Sequence, residues 1–218
     1  IRGSQATTDQ DIILDFFSGS ATTAQATIAQ NAEDGQKRRF ILVQLPEATE
    51  RQDYSNLCEI GKERIRRAGS KIKEEVGLTA PNLDIGFRVL RLDSSNMQDV
   101  YYNPTEVVQS LLDLTTDNIK PDRTPEDLLF QVMLDLGVEL SSTIVETVID
   151  GKKVFDVADG FLLACFDSGV TTETMTAIAK KKPYYAVFRD NSMASDSVAT
   201  NFDQIFETYS PQTTRKVL

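Results

Sequence analysis

The chain has 218 residues, with 23 Lys+Arg, 33 Asp+Glu and no histidine, for a formal net charge of −10. The missing histidine excludes Ser–His–Asp and Cys–His catalytic sets and every His-ligated metal site. Any chemistry falls to carboxylates, amides, hydroxyls, lysine or a bound cofactor. The acidic balance argues against the chain as a whole gripping nucleic acid by phosphate neutralisation, though not against a role inside a larger nucleic-acid enzyme.

A hydrophobic share of 40% and a charged share of 26% are ordinary for a soluble globular protein of one or two domains. No apolar run approaches the roughly 18 residues that span a bilayer, and no signal peptide is visible. No membrane association is therefore expected. Cys58 and Cys165 lie far apart and have no CxxC partner, which predicts free thiols in a cytoplasmic protein. The chain begins with Ile1 rather than Met, as expected of a piece of a longer protein.

The first half alternates strand and helix signals. Ile12-Ile13-Leu14 is a short apolar run, followed by the turn Ser18-Gly19-Ser20 and a helix from Thr22 to Ala32. Phe40-Ile41-Leu42-Val43 is fully apolar and of strand length, as expected for an interior parallel strand. A helix over Asn56 to Glu75 places Leu57, Ile60, Ile65, Ala68 and Ile72 on one stripe. Phe87 to Leu92 alternates and predicts a third strand. This order predicts a doubly wound α/β sheet. A further helix is expected from Pro104 to Leu114, and a domain boundary near residue 120.

The second half opens with a helix from Thr124 to Leu136, with Thr124 as N-cap, Pro125 at the first helical position and Gly137 after its end. Val145–Ile149 and Lys152–Val157 flank Asp150-Gly151, a hairpin signal. Phe161 to Phe166 predicts a buried strand. Two helix–strand alternations follow, Thr172–Lys181 into Tyr184–Phe188 and Val198–Tyr209 into Lys216–Leu218. The expected organisation is thus residues 1–120 as one α/β domain and 121–218 as a smaller α/β module.

The segment that carries chemistry runs from Asp11 to Thr23: an apolar strand ending in Asp15, a turn through Gly19, then a helix. Gly19 lets a ligand approach the backbone, and the helix N-terminus offers N–H groups to an anion. Asp15 suits an ammonium group. A ligand carrying both charges, such as an amino-acid moiety, fits this pattern. A strand, glycine turn and helix is also a common structural unit, and the single true glycine makes it neither GxGxxG nor a P-loop.

At Asp15-Phe16-Phe17-Ser18-Gly19-Ser20-Ala21-Thr22-Thr23 the sequence resembles the S-adenosylmethionine motif of amino-methyltransferases of the β arrangement, Asp-x-Phe-x-Gly-Ser-Gly-Thr-Thr. It departs from that motif at Ala21, where the family has glycine. Arg38 to Glu47 and Gly86 to Asn96 resemble the second and third motifs of the modification subunit of type III restriction–modification systems. Arg123 to Leu129 and Phe188-Arg189-Asp190 resemble its C-terminal extension.

The resemblance implies a partial Rossmann-like methyltransferase sheet followed by a small α/β module. It implies S-adenosylmethionine as cofactor, its amino-acid end held by Asp15, Phe16, Phe17, Ser18, Gly19, Ser20 and Thr22. Gln44 would meet the ribose hydroxyls, with Glu47 the nearby carboxylate, and Asp93 the adenine edge. It also implies DNA, a restriction subunit and a second modification subunit as partners of the full-length protein, which would methylate adenine N6. The family's catalytic Asp/Asn-Pro-Pro-Tyr/Phe motif is absent. Lys182-Pro183-Tyr184-Tyr185 lacks the acid and the second proline, and Tyr102-Asn103-Pro104 reads as a turn. In the β arrangement that motif precedes the cofactor motif, so the chain is expected to be the C-terminal part of such an enzyme, with no catalytic residue of its own.

Other features have bland and sharp readings. Lys62–Lys73 holds six basic residues against one acid, Glu63, and is read as a solvated helix face or as a phosphate- or subunit-contacting patch. Asp150, Asp156, Asp159 and Asp167 are read as turn and strand-end acids rather than a metal site, and no Asp…Glu-x-Lys nuclease pattern occurs. The alternative to the methyltransferase reading is a non-catalytic nucleotide-binding or interaction module, which Ala21 and Gln44 favour.

Overall fold

The computed structural model describes residues 11–98 and 118–218; the helix expected from Pro104 to Leu114, and Tyr102-Asn103-Pro104, lie outside them. The chain folds into two compact units, Ile1–Val89 and Leu90–Leu218. The division lies upstream of the boundary expected near residue 120.

In the first unit, β1 (Ile12–Asp15) and β2 (Arg39–Leu42) pair in parallel, from Ile12 opposite Arg39 to Asp15 opposite Leu42. Between them runs α1 (Thr22–Asp34), built of small residues with no breaker and closed by Gly35 at φ 73°. The return to β2 is held by buried Asn31. Its amide accepts from Arg38 N at 3.1 Å and donates to Arg38 O at 2.9 Å. The Arg38 guanidinium in turn bonds the Asp34 carboxylate at 2.7 Å and holds its pKa down to about 2.

Helix α2 (Leu57–Val76) starts at Asn56, whose side chain accepts from Glu59 N. Its predicted stripe is real: Ile65 and Ala68 are buried, and Ile72 packs against the cluster of Ala21, Ala24, Ile28 and Ile65. Two expectations need correction. The apolar run of β2 does pair in parallel, but its strand is not interior. Among the described residues this sheet has two strands, and only one face is covered. Phe40 and Leu42 join the core, while Ile12, Leu14, Ile41 and Val43 are exposed.

The second correction concerns residues 87–92, which form no strand. The alternation there is genuine but starts earlier: Leu83, Ile85 and Phe87 pack against the unit's core, with exposed residues between them. One-sided packing writes the same period of two into a sequence as a sheet does, without any ladder of hydrogen bonds.

The second unit is a three-layer α/β module. Helix α3 (Pro125–Asp135) has a full capping box between Thr124 and Asp127. Strands β3 (Ile144–Ile149), β4 (Lys152–Val157), β5 (Leu162–Cys165), β6 (Tyr185–Phe188) and β7 (Thr214–Val217) form one sheet in sequence order. The first two pairings are antiparallel and the last two parallel. The β3–β4 turn places Asp150 and Gly151 at φ 50° and 75°, the two positive values of a tight hairpin.

Alternate residues sort between two cores. Phe155, Val157, Leu162, Ala164 and Val187 face the side of α3. Val154, Leu163, Cys165, Ala186 and Phe188 face α4 (Thr172–Lys180) and α5 (Asp196–Tyr209). Burial pushes the Cys165 thiol up to about 11, and both cysteines are free thiols. Among the described residues, no helix is long and apolar enough to cross a membrane.

Candidate functional site

The parallel pairing of β1 and β2 brings the ends of both strands to the turn 16–21. Val43 N donates to Asp15 O at 2.9 Å, and Ser18 N donates back to Val43 O at 3.3 Å. The Gln44 side chain then accepts from Gly19 N at 2.8 Å and donates to Leu45 O at 3.1 Å. Gln44 thus straps the end of β2 to the turn. Its own carbonyl accepts from the Cys58 thiol at 3.3 Å, tying in the start of α2.

Asp15 sits at the last position of β1, half-buried. Its carboxylate accepts from Thr23 Oγ1 at 2.5 Å and from Phe17 N at 3.2 Å. Asp15, Ser18, Gly19 and Gln44 therefore belong to one hydrogen-bonded network. Ser20 lies in the same turn and Thr22 opens α1, exposed. Phe16 and Phe17 stand outward, 60% and 83% exposed, with ring centroids 5.1 Å apart. A methyl placed on Gly19 would meet nothing within 4 Å, so the space over the turn is open.

The departure at Ala21 has a backbone cost. Ala21 is the N-cap of α1 and holds φ 63°, ψ 37°, the left-handed region that favours glycine. It supplies no side-chain cap, whereas Asn56, Thr124 and Thr171 cap α2, α3 and α4. The first-turn N–H groups of α1 are thus left without a capping side chain beside the Asp15 carboxylate. That pair, a positive helix end and a negative strand end, suits a zwitterionic group.

Glu47 is exposed on the loop after β2, its carbonyl accepting from Leu57 N at 2.9 Å. Asp93 belongs to the second unit. Its carboxylate accepts from Ser94 N at 2.7 Å and pairs with Arg123 at 3.5 Å; these two contacts hold its pKa below the usual carboxylate range.

Two residues escaped the sequence reading. Thr23 orients Asp15, although only its place in the motif marked it. Gly61 of α2 lies against the turn: a methyl there would sit 3.5 Å from Ala21 Cβ and 3.6 Å from Gly19 O. Nothing in the spacing of α2 signals that contact.

Three of the remaining candidate acids are hydrogen-bonded within the second unit. Asp156 accepts from Gly160 N, Asp167 from Lys153 N, and Asp150 from the buried Thr174 hydroxyl, all bracing turns of the second unit. On α2, Lys62, Arg66, Arg67 and Lys71 pair with Glu59, Glu63 or Glu75 on their own helix. This is the behaviour of a solvated face.

No protein-family model matches the chain. Curated relatives do. The chain is 39% identical over 97 residues to the type III restriction-modification enzyme StyLTI Mod subunit of Salmonella typhimurium. It is 35% identical over 89 residues to the EcoP15I Mod subunit of Escherichia coli. Over these segments the chain is similar to type III Mod subunits. The matched segments take in 41% and 38% of this chain but only 15% and 12% of those relatives. A third Mod subunit, from Escherichia phage P1, is 32% identical over 90 residues, or 38% of this chain and 14% of the relative.

Proposed function

We propose that the chain is the C-terminal part of a type III modification methyltransferase, and that its first unit carries part of the Rossmann-like S-adenosylmethionine domain. In this reading the whole enzyme methylates adenine N6 in DNA, alongside a restriction subunit and a second modification subunit. One observation carries the cofactor assignment: the α1 N-terminus without a capping side chain lies beside the Asp15 carboxylate, under open space. The residues fit the amino-acid end of S-adenosylmethionine. Asp15 would hold the ammonium with lone pairs left over from Thr23 and Phe17, and the α1 end around Thr22 would face the carboxylate.

Ser18, Gly19 and Ser20 shape the turn so that the backbone stays accessible. Phe16 and Phe17 offer apolar surface beside it. Gln44 and Glu47 would serve the ribose. When bound, the cofactor supplies a methyl group on a positively charged sulfonium, so no histidine base is required of these residues. The exposed apolar face of β1 and β2 supports a partial sheet, because parallel sheets are ordinarily covered on both faces.

Titration calorimetry with S-adenosylhomocysteine tests this. The 218-residue chain should bind it, and Asp15→Ala should weaken binding tenfold or more, roughly the loss of a charge-assisted hydrogen bond. No binding by the chain, or equal binding by Asp15→Ala, rejects the assignment. A second reading, a non-catalytic interaction module, is favoured by Ala21 in a glycine conformation and by a Gln44 amide already bonded to backbone at both ends. It predicts no binding in the same titration.

A further inference from the structure

The second unit contains a cavity of about 220 Å³ lined by Ile119, Lys120, Pro121, Arg123, Pro125, Leu128, Phe166 and Arg189. Its lining holds three cationic residues and no acidic one. Lys120 Nζ and Arg123 Nη2 both donate to the same acceptor, Ser94 Oγ, at 2.9 Å each. The two cations are therefore under about 6 Å apart, a like-charge pair that disfavours itself unless a counter-charge is near. Asp93 and Asp122 pair with Arg123 at 3.5 Å and Asp127 also acts on it electrostatically, but none of the three lines the cavity. The Arg123 side chain is 11% exposed, and its Nε–H is buried without a hydrogen-bond partner. Arg189 lines the same wall and has interactions of its own.

We infer that this cavity is a binding site for a small oxyanion, a phosphate or carboxylate group. Lys120 and Arg123 supply the positive charge, and Phe166, Leu128 and Ile119 form an apolar wall for whatever the anion is attached to. An oxyanion there would relieve the repulsion between the two cations. The site lies in the second unit and is independent of the S-adenosylmethionine assignment.

Titrating the 218-residue chain with inorganic phosphate, and separately with acetate, at constant ionic strength tests the inference and separates the two anion classes. Binding near about 1 mM is expected for at least one of them. Lys120→Gln and Arg123→Gln should each weaken it about tenfold. Lys71→Gln, on α2 of the other unit, should leave it unchanged. Absence of binding by both anions up to about 20 mM, a regime with no useful affinity, overturns the inference. So does equal binding by the wild type and Lys120→Gln, a mild surface substitution that keeps the test valid if Arg123→Gln does not fold.

Discussion

Ala21 concentrates the conflict between local preference and packing. Its left-handed backbone costs an alanine roughly 1–2 kcal/mol relative to glycine. Its methyl is buried against Ala24, Ile28 and Ile65, which returns about 0.8 kcal/mol. The net cost is roughly 0.2–1.2 kcal/mol, small enough for an alanine to occupy this position. A larger, β-branched side chain changes both terms for the worse, because it strains φ further and presses toward Gly61. Ala21→Val should therefore destabilise the first unit by about 2–4 kcal/mol, read as a lower urea midpoint for that unit. An unchanged midpoint would show that the turn adopts another conformation.

At the scale of elements, α2 organises the first unit through two glycines as much as through its apolar stripe. Gly61 admits the turn after β1. Gly69 admits Ile85: a methyl on Gly69 would lie 3.1 Å from Ile85 Cβ, tighter than ordinary contact. Residues 83–87 thus dock on a helix groove rather than on a strand edge. Gly69→Val should displace that segment and cost about 1–3 kcal/mol, measured by denaturation together with faster amide exchange at Ile85 and Phe87. Stabilisation by the better helix former would mean that the docking contributes little.

The two units differ in how their sheets are covered. In the second, α3 shields one face and α4 with α5 the other, so β5 is buried at every position. In the first, one face of β1 and β2 is open, with Leu14 58% and Ile41 50% exposed. Substitution should report this asymmetry directly. Leu14→Glu should change stability by less than about 0.5 kcal/mol, as at other surface positions. Leu163→Ala, in the core beneath α4 and α5, should cost about 2–5 kcal/mol. Chemical denaturation of both variants checks the pair; a large loss for Leu14→Glu would mean that this face is covered in solution.

The sequence by itself determined the local elements and the site motif. Apolar runs, the Thr124 cap, the Asp150-Gly151 turn and the α2 stripe all depend on neighbours within a few residues, so their physics is written locally. So is the strand-end acid followed by a glycine turn and a helix. Only the tertiary structure decided which apolar residues find partners. The run at Phe40–Val43 has the composition of an interior strand, yet whether its second face is covered depends on elements distant in the chain. The alternation at residues 83–92 is equally ambiguous, since a helix groove and a sheet edge impose the same period. Gln44 strapping Gly19, Thr23 orienting Asp15 and two cations sharing Ser94 are contacts across many residues, set by strand register and helix docking that no local pattern encodes.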